Sequence, residues 1–290
     1  MRMGAYKGFE LSLSDPGILW VTLNRPERKN GMTSAMKRDL IEALTHAQMD
    51  DSVRVIVFIG SGDSFSAGDD LKGYATGMRE EAGEVPLIPP GHDTGIGTYD
   101  GLRWISQQLN TTIRQIDKIT IAAINGVAIQ TGFSLALSCD FRIAATTARM
   151  GSATLRFALL PDEGGQALLV QHLGLSRTMD FLMRKRIITA AEALEMGLVS
   201  STVAPADLAS TFVQDLSGLT FDPSDPDVLW AAQNKRGTLF KLERDAEDRF
   251  VPAEGWPKDP VYPGGTGAPD TEGIAIGPDG VVYLASDASS

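Results

Sequence analysis

Two segments constrain this chain more than any other feature: Ser64-Phe65-Ser66-Ala67-Gly68-Asp69-Asp70-Leu71-Lys72 and, later, Ile124-Asn125-Gly126-Val127-Ala128-Ile129-Gln130-Thr131-Gly132. Each reads as an apolar strand that ends in a Gly-containing turn and then enters a helix. Two such turns set side by side aim two backbone N–H groups at one point. Paired amides of that kind hold a developing oxyanion, so the pattern implies chemistry before any acid or base is identified.

Elsewhere, strand and helix patterns alternate. Ile18 to Leu23 is rich in β-branched and aromatic residues and reads as a strand. Thr33 is placed to cap a helix whose apolar positions Met36, Leu40, Ile41, Leu44 and Ala47 recur at helical spacing. Val53 to Ile59, Ile119 to Ile129 and Phe141 to Ala145 read as further strands. Strands alternating with helices imply an α/β layered core with crossover connections. The stretch from Gly73 to Asp100, with its Gly, Pro, acids and His92, reads as a partly helical loop over a pocket. Thr189-Ala190-Ala191-Glu192 is a capping-box pattern, with Gly197 placed to stop the helix it starts.

From about residue 5 to 205 the chain resembles the crotonase (enoyl-CoA hydratase/isomerase) superfamily. The resemblance is carried by Leu23-Asn24-Arg25-Pro26, Phe65 to Leu71, Ala123-Ile124-Asn125-Gly126, Leu135 to Ala144, Leu160-Pro161-Asp162-Glu163-Gly164-Gly165 and Ala190 to Val199, in the family's order and spacing. It implies an α/β fold, a crotonase-like ββα superhelix core, acting on an acyl-CoA thioester whose coenzyme A is part of the substrate, with no further cofactor. It also implies that the oxyanion donors are the backbone N–H groups of Asp69 and Thr131. Family members usually carry a Gly-Gly-Gly run where this chain has Gln130-Thr131-Gly132, but a backbone donor survives a change of side chain. Arg25, Arg28, Lys29, Ala67, Gly68, Asp70, Leu71 and Gly132 are the expected substrate and CoA contacts.

At the acid and base positions the chain departs from a hydratase. The two hydratase glutamates of the family fall on Ser134 and Thr154, and neither hydroxyl is a carboxylate base near neutral pH. Isomerases of the superfamily place a single carboxylate in the turn holding Asp162 and Glu163. Glu163 ranks first and Asp162 second, both also being good residues for a helix N-terminus. One base suits a 1,3-proton shift through a thioester enolate. The alternatives are a hydratase-like scaffold of little or no activity, and a carbon–carbon bond hydrolase of the same fold using His92. His46, His172 and Cys139 read as structural, and no metal-ligand cluster is expected.

Composition bounds the rest. A formal charge of −11 over 290 residues argues against a nucleic-acid partner. One cysteine, no signal-peptide pattern and no apolar run of spanning length lead to the expectation of a cytoplasmic protein without membrane contact. The family resemblance adds a homo-oligomer, trimer or hexamer. After Pro205 the pattern changes: Ser217 to Pro223 with Val228 to Ala231 recurs as Glu272 to Pro278 with Val281 to Leu284, offset by 53 to 55 residues. That spacing suits a propeller blade. Residues 206–290 are therefore expected to be a small all-β, propeller-like fragment following a crotonase-like domain over 5–205.

Overall fold

The computed structural model describes residues 3–14, 17–70, 94–152, 154–157, 160, 163–209, 216–222, 224–233, 239–244, 250–255, 271–276 and 282–286. They fall into two compact units, Met1–Leu208 and Ala209–Ser290.

In the first unit, strands β1 (Gly4–Ala5), β2 (Phe9–Ser14), β3 (Ile18–Leu23), β4 (Val55–Gly60), β6 (Ile119–Ile124), β8 (Phe141–Ala145) and β11 (Ser201–Val203) form one sheet in that spatial order. β1, β2 and β3 pair antiparallel, and β3, β4, β6, β8 and β11 pair parallel. The near-continuous apolar run of β4 fits its place between two parallel neighbours, where both strand faces are covered. A second sheet holds β5 (Ser64–Ser66), β7 (Val127–Ile129), β9 (Arg149–Gly151) and β10 (Ile187–Thr189), ordered β10-β9-β7-β5. The helix Ser34–Gln48 is capped by Thr33, whose hydroxyl accepts from Met36 N at 3.1 Å. It buries Met36, Leu40, Ala43, Leu44 and Ala47.

The stretch expected to be one strand, Ile119 to Ile129, is two strands in two sheets. Asn125 and Gly126 make the corner between them. A Cβ on Gly126 would sit 1.9 Å from the Asp63 carbonyl oxygen, and one on Gly60, at the end of β4, 1.9 Å from the Ser64 carbonyl oxygen. The chain thus passes from the first sheet to the second at two glycines. Asn125 fastens both corners: its Oδ1 accepts from Gly60 N at 3.0 Å, and its Nδ2 donates to the Gly60 and Gly62 carbonyls at 2.9 and 3.0 Å. Asn125→Ala should therefore lower stability by about 2 kcal/mol, the usual range for leaving part-buried backbone groups unpaired. Urea unfolding measures it, and an unchanged midpoint would contradict this account of the corner.

Most of the expected loop from Gly73 to Asp100 lies outside the described residues. Its end, Gly95–Gly101, is helical and continues as a π-helical segment Leu102–Gln107 and an α-helix Gln108–Gln115. The capping box at Thr189 is present, and Gly197 adopts φ 72° just past the helix Ala190–Glu195. In the second unit β12 (Leu216–Asp222), β13 (Asp225–Gln233), β14 (Leu239–Arg244) and β15 (Phe250–Pro252) form an antiparallel meander, and β16 (Thr271–Ile276) pairs with β17 (Val282–Ser286). β15 was not expected from the sequence. The propeller likeness stays an expectation of the sequence rather than a finding of the fold.

Candidate active site

β5 and β7 are parallel neighbours, so their carboxyl ends leave the second sheet side by side. From those ends run the two Gly-containing turns. Ser66, at the end of β5, is fixed by its hydroxyl donating to the Asn30 carbonyl at 2.8 Å. Beyond it, Gly68 adopts φ 97°, and Asp69 forms a parallel bridge with Met32. Met32 N donates to the Gly68 carbonyl and Asp70 N to the Met32 carbonyl, which turns the Asp69 N–H away from that pairing. Beyond β7, Gln130 takes φ 51°, a conformation that L side chains rarely adopt, and Thr131 opens the helix Thr131–Ser138. Neither the Asp69 nor the Thr131 amide donates to an acceptor among the described residues.

Glycine is what lets the turns touch. A Cβ on Gly68 would lie 3.0 Å from the Ile129 carbonyl oxygen and 3.5 Å from Thr131 N, while one on Gly132 would lie 2.4 Å from the Ser66 carbonyl oxygen. Free amides at the start of a helix also favour negative charge there.

Glu163 sits just before the helix Gly165–Leu173, whose N-cap is Gly164 with no side-chain capping bond. The carboxylate does not cap its own helix. It is 2% exposed, and its Oε1 accepts from the Ser134 hydroxyl at 2.8 Å. Asn110 Nδ2 donates to the Glu163 carbonyl at 2.7 Å, and Asn110 Oδ1 accepts from Ser138 Oγ at 3.1 Å. Burial pushes the Glu163 carboxyl up to about 7; its own backbone N–H and the Ser134 hydroxyl pull the other way, Asp69 adds to the rise and Lys37 opposes it. One of the two hydratase positions therefore holds a hydroxyl that orients Glu163. The other, Thr154, is buried and hydrogen-bonded to the Ser152 hydroxyl at 3.0 Å.

Leu160, in the same turn, is 56% exposed. Asp162, Leu71 and His92 lie outside the described residues. Arg25, expected at the coenzyme A, is engaged inside the fold, with Nη2 2.8 Å from Asp70 Oδ2 and Nη1 donating to the Gly31 carbonyl. Buried Asp70 thus holds the turn through Arg25. Lys29 pairs with Asp63 on the surface, and Arg28 lies beside it in the short 3-10 turn Pro26–Arg28. Ala67 is exposed and its amide donates to the Lys29 carbonyl. His172 is half-buried with its ring against the Leu137 carbonyl, and burial pushes its pKa down and that of the Cys139 thiol up, as structural residues.

Sequence reasoning missed Lys37. Its side chain is 1% exposed, and its Nζ lies 2.6 Å from Asp69 Oδ1 and 2.8 Å from Ser106 Oγ. The signal was present: Lys37, Leu40 and Leu44 are spaced i, i+3, i+7, which puts a lysine on the apolar stripe. Lysine is almost never fully buried unless paired.

The family model described as enoyl-CoA hydratase/isomerase matches residues 14–86 and 92–229, running past the boundary between the two units. The chain is 31% identical over 246 residues to the 1,2-epoxyphenylacetyl-CoA isomerase of Escherichia coli (strain K12), covering 82% of this chain and 88% of that protein. Among solved structures, a monofunctional enoyl CoA isomerase from M. smegmatis matches with TM-score 0.55 and 33% identity over 72% of this chain and 82% of its own. An enoyl-CoA hydratase from Bacillus anthracis matches with TM-score 0.61 and 29% identity over 71% and 74%. A Thermobifida fusca YX structure in complex with CoA matches with TM-score 0.61 and 32% identity over 71% and 76%. An acyl-CoA substrate fits these relatives. No helix among the described residues is long and apolar enough to cross a membrane. A family model matched over most of the chain, and a relative 31% identical over 82% of it, show that the chain belongs to the enoyl-CoA hydratase/isomerase family.

Proposed function

We propose that this chain isomerises enoyl-CoA thioesters by a 1,3-proton shift with Glu163 as its single base. The observation that carries the reading is the buried Glu163 carboxylate held by the Ser134 hydroxyl, where a hydratase of the family has a second carboxylate. The thioester oxygen is received by the amides of Asp69 and Thr131. Ionised Glu163 takes a proton from the α-carbon of a 3-enoyl-CoA. The C–H electron pair passes into a dienolate whose negative charge rests on the thioester oxygen. The carboxylic acid then returns the proton to the γ-carbon, leaving a 2-enoyl-CoA and an ionised Glu163. No water is consumed, which is why one carboxylate suffices. A carboxyl that titrates near 7 is matched to this work, since it is both a sufficient base and a sufficient acid at neutral pH. Arg28 and Lys29 are proposed to meet the coenzyme A phosphates, and the family's oligomeric assembly is proposed for the first unit.

The test is a mass-resolved assay of 3-enoyl- and 2-enoyl-CoA with the protein in deuterated water. Interconversion of the isomers at constant carbon skeleton, with deuterium appearing at the α- or γ-carbon, is the expected result. A product heavier by one water, a 3-hydroxyacyl-CoA, would replace the isomerase reading with hydration.

A further inference from the structure

Thr131, which stands where family members usually carry a glycine, is bonded through its side chain to Asp69. Thr131 Oγ1 donates to Asp69 Oδ1 at 2.9 Å, so the side chains of the two turns are joined directly. The same Oδ1 is 2.6 Å from Lys37 Nζ, and Lys37 is anchored in turn by Ser106 Oγ at 2.8 Å. Ser106 lies in the π-helical segment, one turn before Asn110, which holds the Glu163 carbonyl, so one stretch of helix braces both the clasp and the base.

We infer that Asp69 and Thr131 form a side-chain clasp that sets the spacing of the two oxyanion amides, and that Lys37 is the counter-charge that makes a carboxylate tolerable there. This rests on the oxyanion reading given above. A lone carboxylate beside a developing enolate oxygen would oppose the charge that the amides stabilise, and the effect is strong where water is excluded. With the ammonium against it, the pair is neutral and the amides act without opposition. Thr131, Asp69 and Lys37 are positioning residues through their side chains; the atoms that meet substrate are the backbone donors. Removing Asp69 strands the buried Lys37 ammonium and removing Lys37 leaves the part-buried Asp69 carboxylate uncompensated, whereas removing both charges together does neither.

The experiment uses the full chain and butyryl-CoA labelled with 13C at the thioester carbonyl, which cannot isomerise. In difference infrared spectra the bound carbonyl of the parent protein should lie below its free frequency, and Thr131→Val and Lys37→Met should each move it back toward the free value. In turnover, Lys37→Met should lower kcat by a factor on the order of 10², comparable to losing one oxyanion donor, with KM much less changed. Lys37→Met combined with Asp69→Asn removes both charges and leaves an amide oxygen for Thr131, and it should regain most of that loss. A parent carbonyl at the free frequency overturns the oxyanion reading and the clasp together. A lowered parent frequency that neither single variant changes overturns the clasp alone. A double variant no more active than Lys37→Met overturns the charge-compensating role of Lys37.

Discussion

Glu163→Gln should reduce isomerisation by a factor on the order of 10²–10⁴, the usual contribution of a positioned base. Gln keeps the length of the side chain, and its carbonyl oxygen can still accept from the Ser134 hydroxyl, so the bond that orients residue 163 survives while the proton acceptor is lost. KM for an enoyl-CoA should change little, because the proposed thioester donors are backbone amides that the substitution leaves alone. Asp162→Asn should cost far less than Glu163→Gln. Steady-state kinetics of the two variants decide the ranking: turnover abolished by Asp162→Asn and retained by Glu163→Gln would transfer the role of base to Asp162. Retention of full activity by both would remove carboxylate catalysis from this site.

The pH dependence should run in opposite directions for activity and for stability. Activity needs ionised Glu163, so kcat/KM should rise with pH through a limb centred near the raised value of about 7. The fold prefers the protonated form, because burial penalises the charge. Its folded-state pKa thus lies above the unfolded value of 4.5. The stabilisation this gives is fully present below that unfolded value and is lost as pH rises through the folded value. Across the window the loss amounts to about 3 kcal/mol. Glu163→Gln has no such titration, so its unfolding free energy should be nearly flat where the parent declines. Ser134→Ala removes a hydrogen bond that favours the charged form, and it should move the activity limb to higher pH. Urea unfolding at a series of pH values, beside rate profiles of the parent and both variants, reads all of this. A parent stability that climbs between pH 5 and 7 relative to Glu163→Gln would contradict a carboxyl raised by burial.

Much of the first unit was legible along the chain, because its strands and helices are local patterns. The stripe from Met36 to Ala47 needs only helical periodicity to be read, and β3 and β8 need only apolar and β-branched residues bounded by turns. The break between β6 and β7 was hidden, since Ile119 to Ile129 is apolar throughout. What divides it is the lack of room beside Gly126, where the Asp63 carbonyl arrives from a distant part of the sequence. β15 was hidden for the opposite reason: three residues ending in proline carry too little pattern to stand out.

The site divides along the same line. The two Gly-containing turns and the turn holding Glu163 are short motifs whose residue types and order suffice to nominate them, and the hydroxyls at Ser134 and Thr154 are what the proposed single-base reading starts from. How those parts act was decided by packing. Arg25 looks from the sequence like a phosphate ligand, but the fold directs it to Asp70. Ser134 looks like a missing glutamate, and the fold makes it the donor that orients Glu163. Lys37 looks like one more charge on an amphipathic helix, yet it faces inward onto Asp69. Sequence order and residue chemistry were enough to name the family and to nominate the turns, because those depend on backbone patterns that local residues encode. The partners of each charge and the raised pKa of Glu163 arose only in the tertiary structure, because desolvation and ion pairing depend on which distant residues exclude water from the same few ångströms.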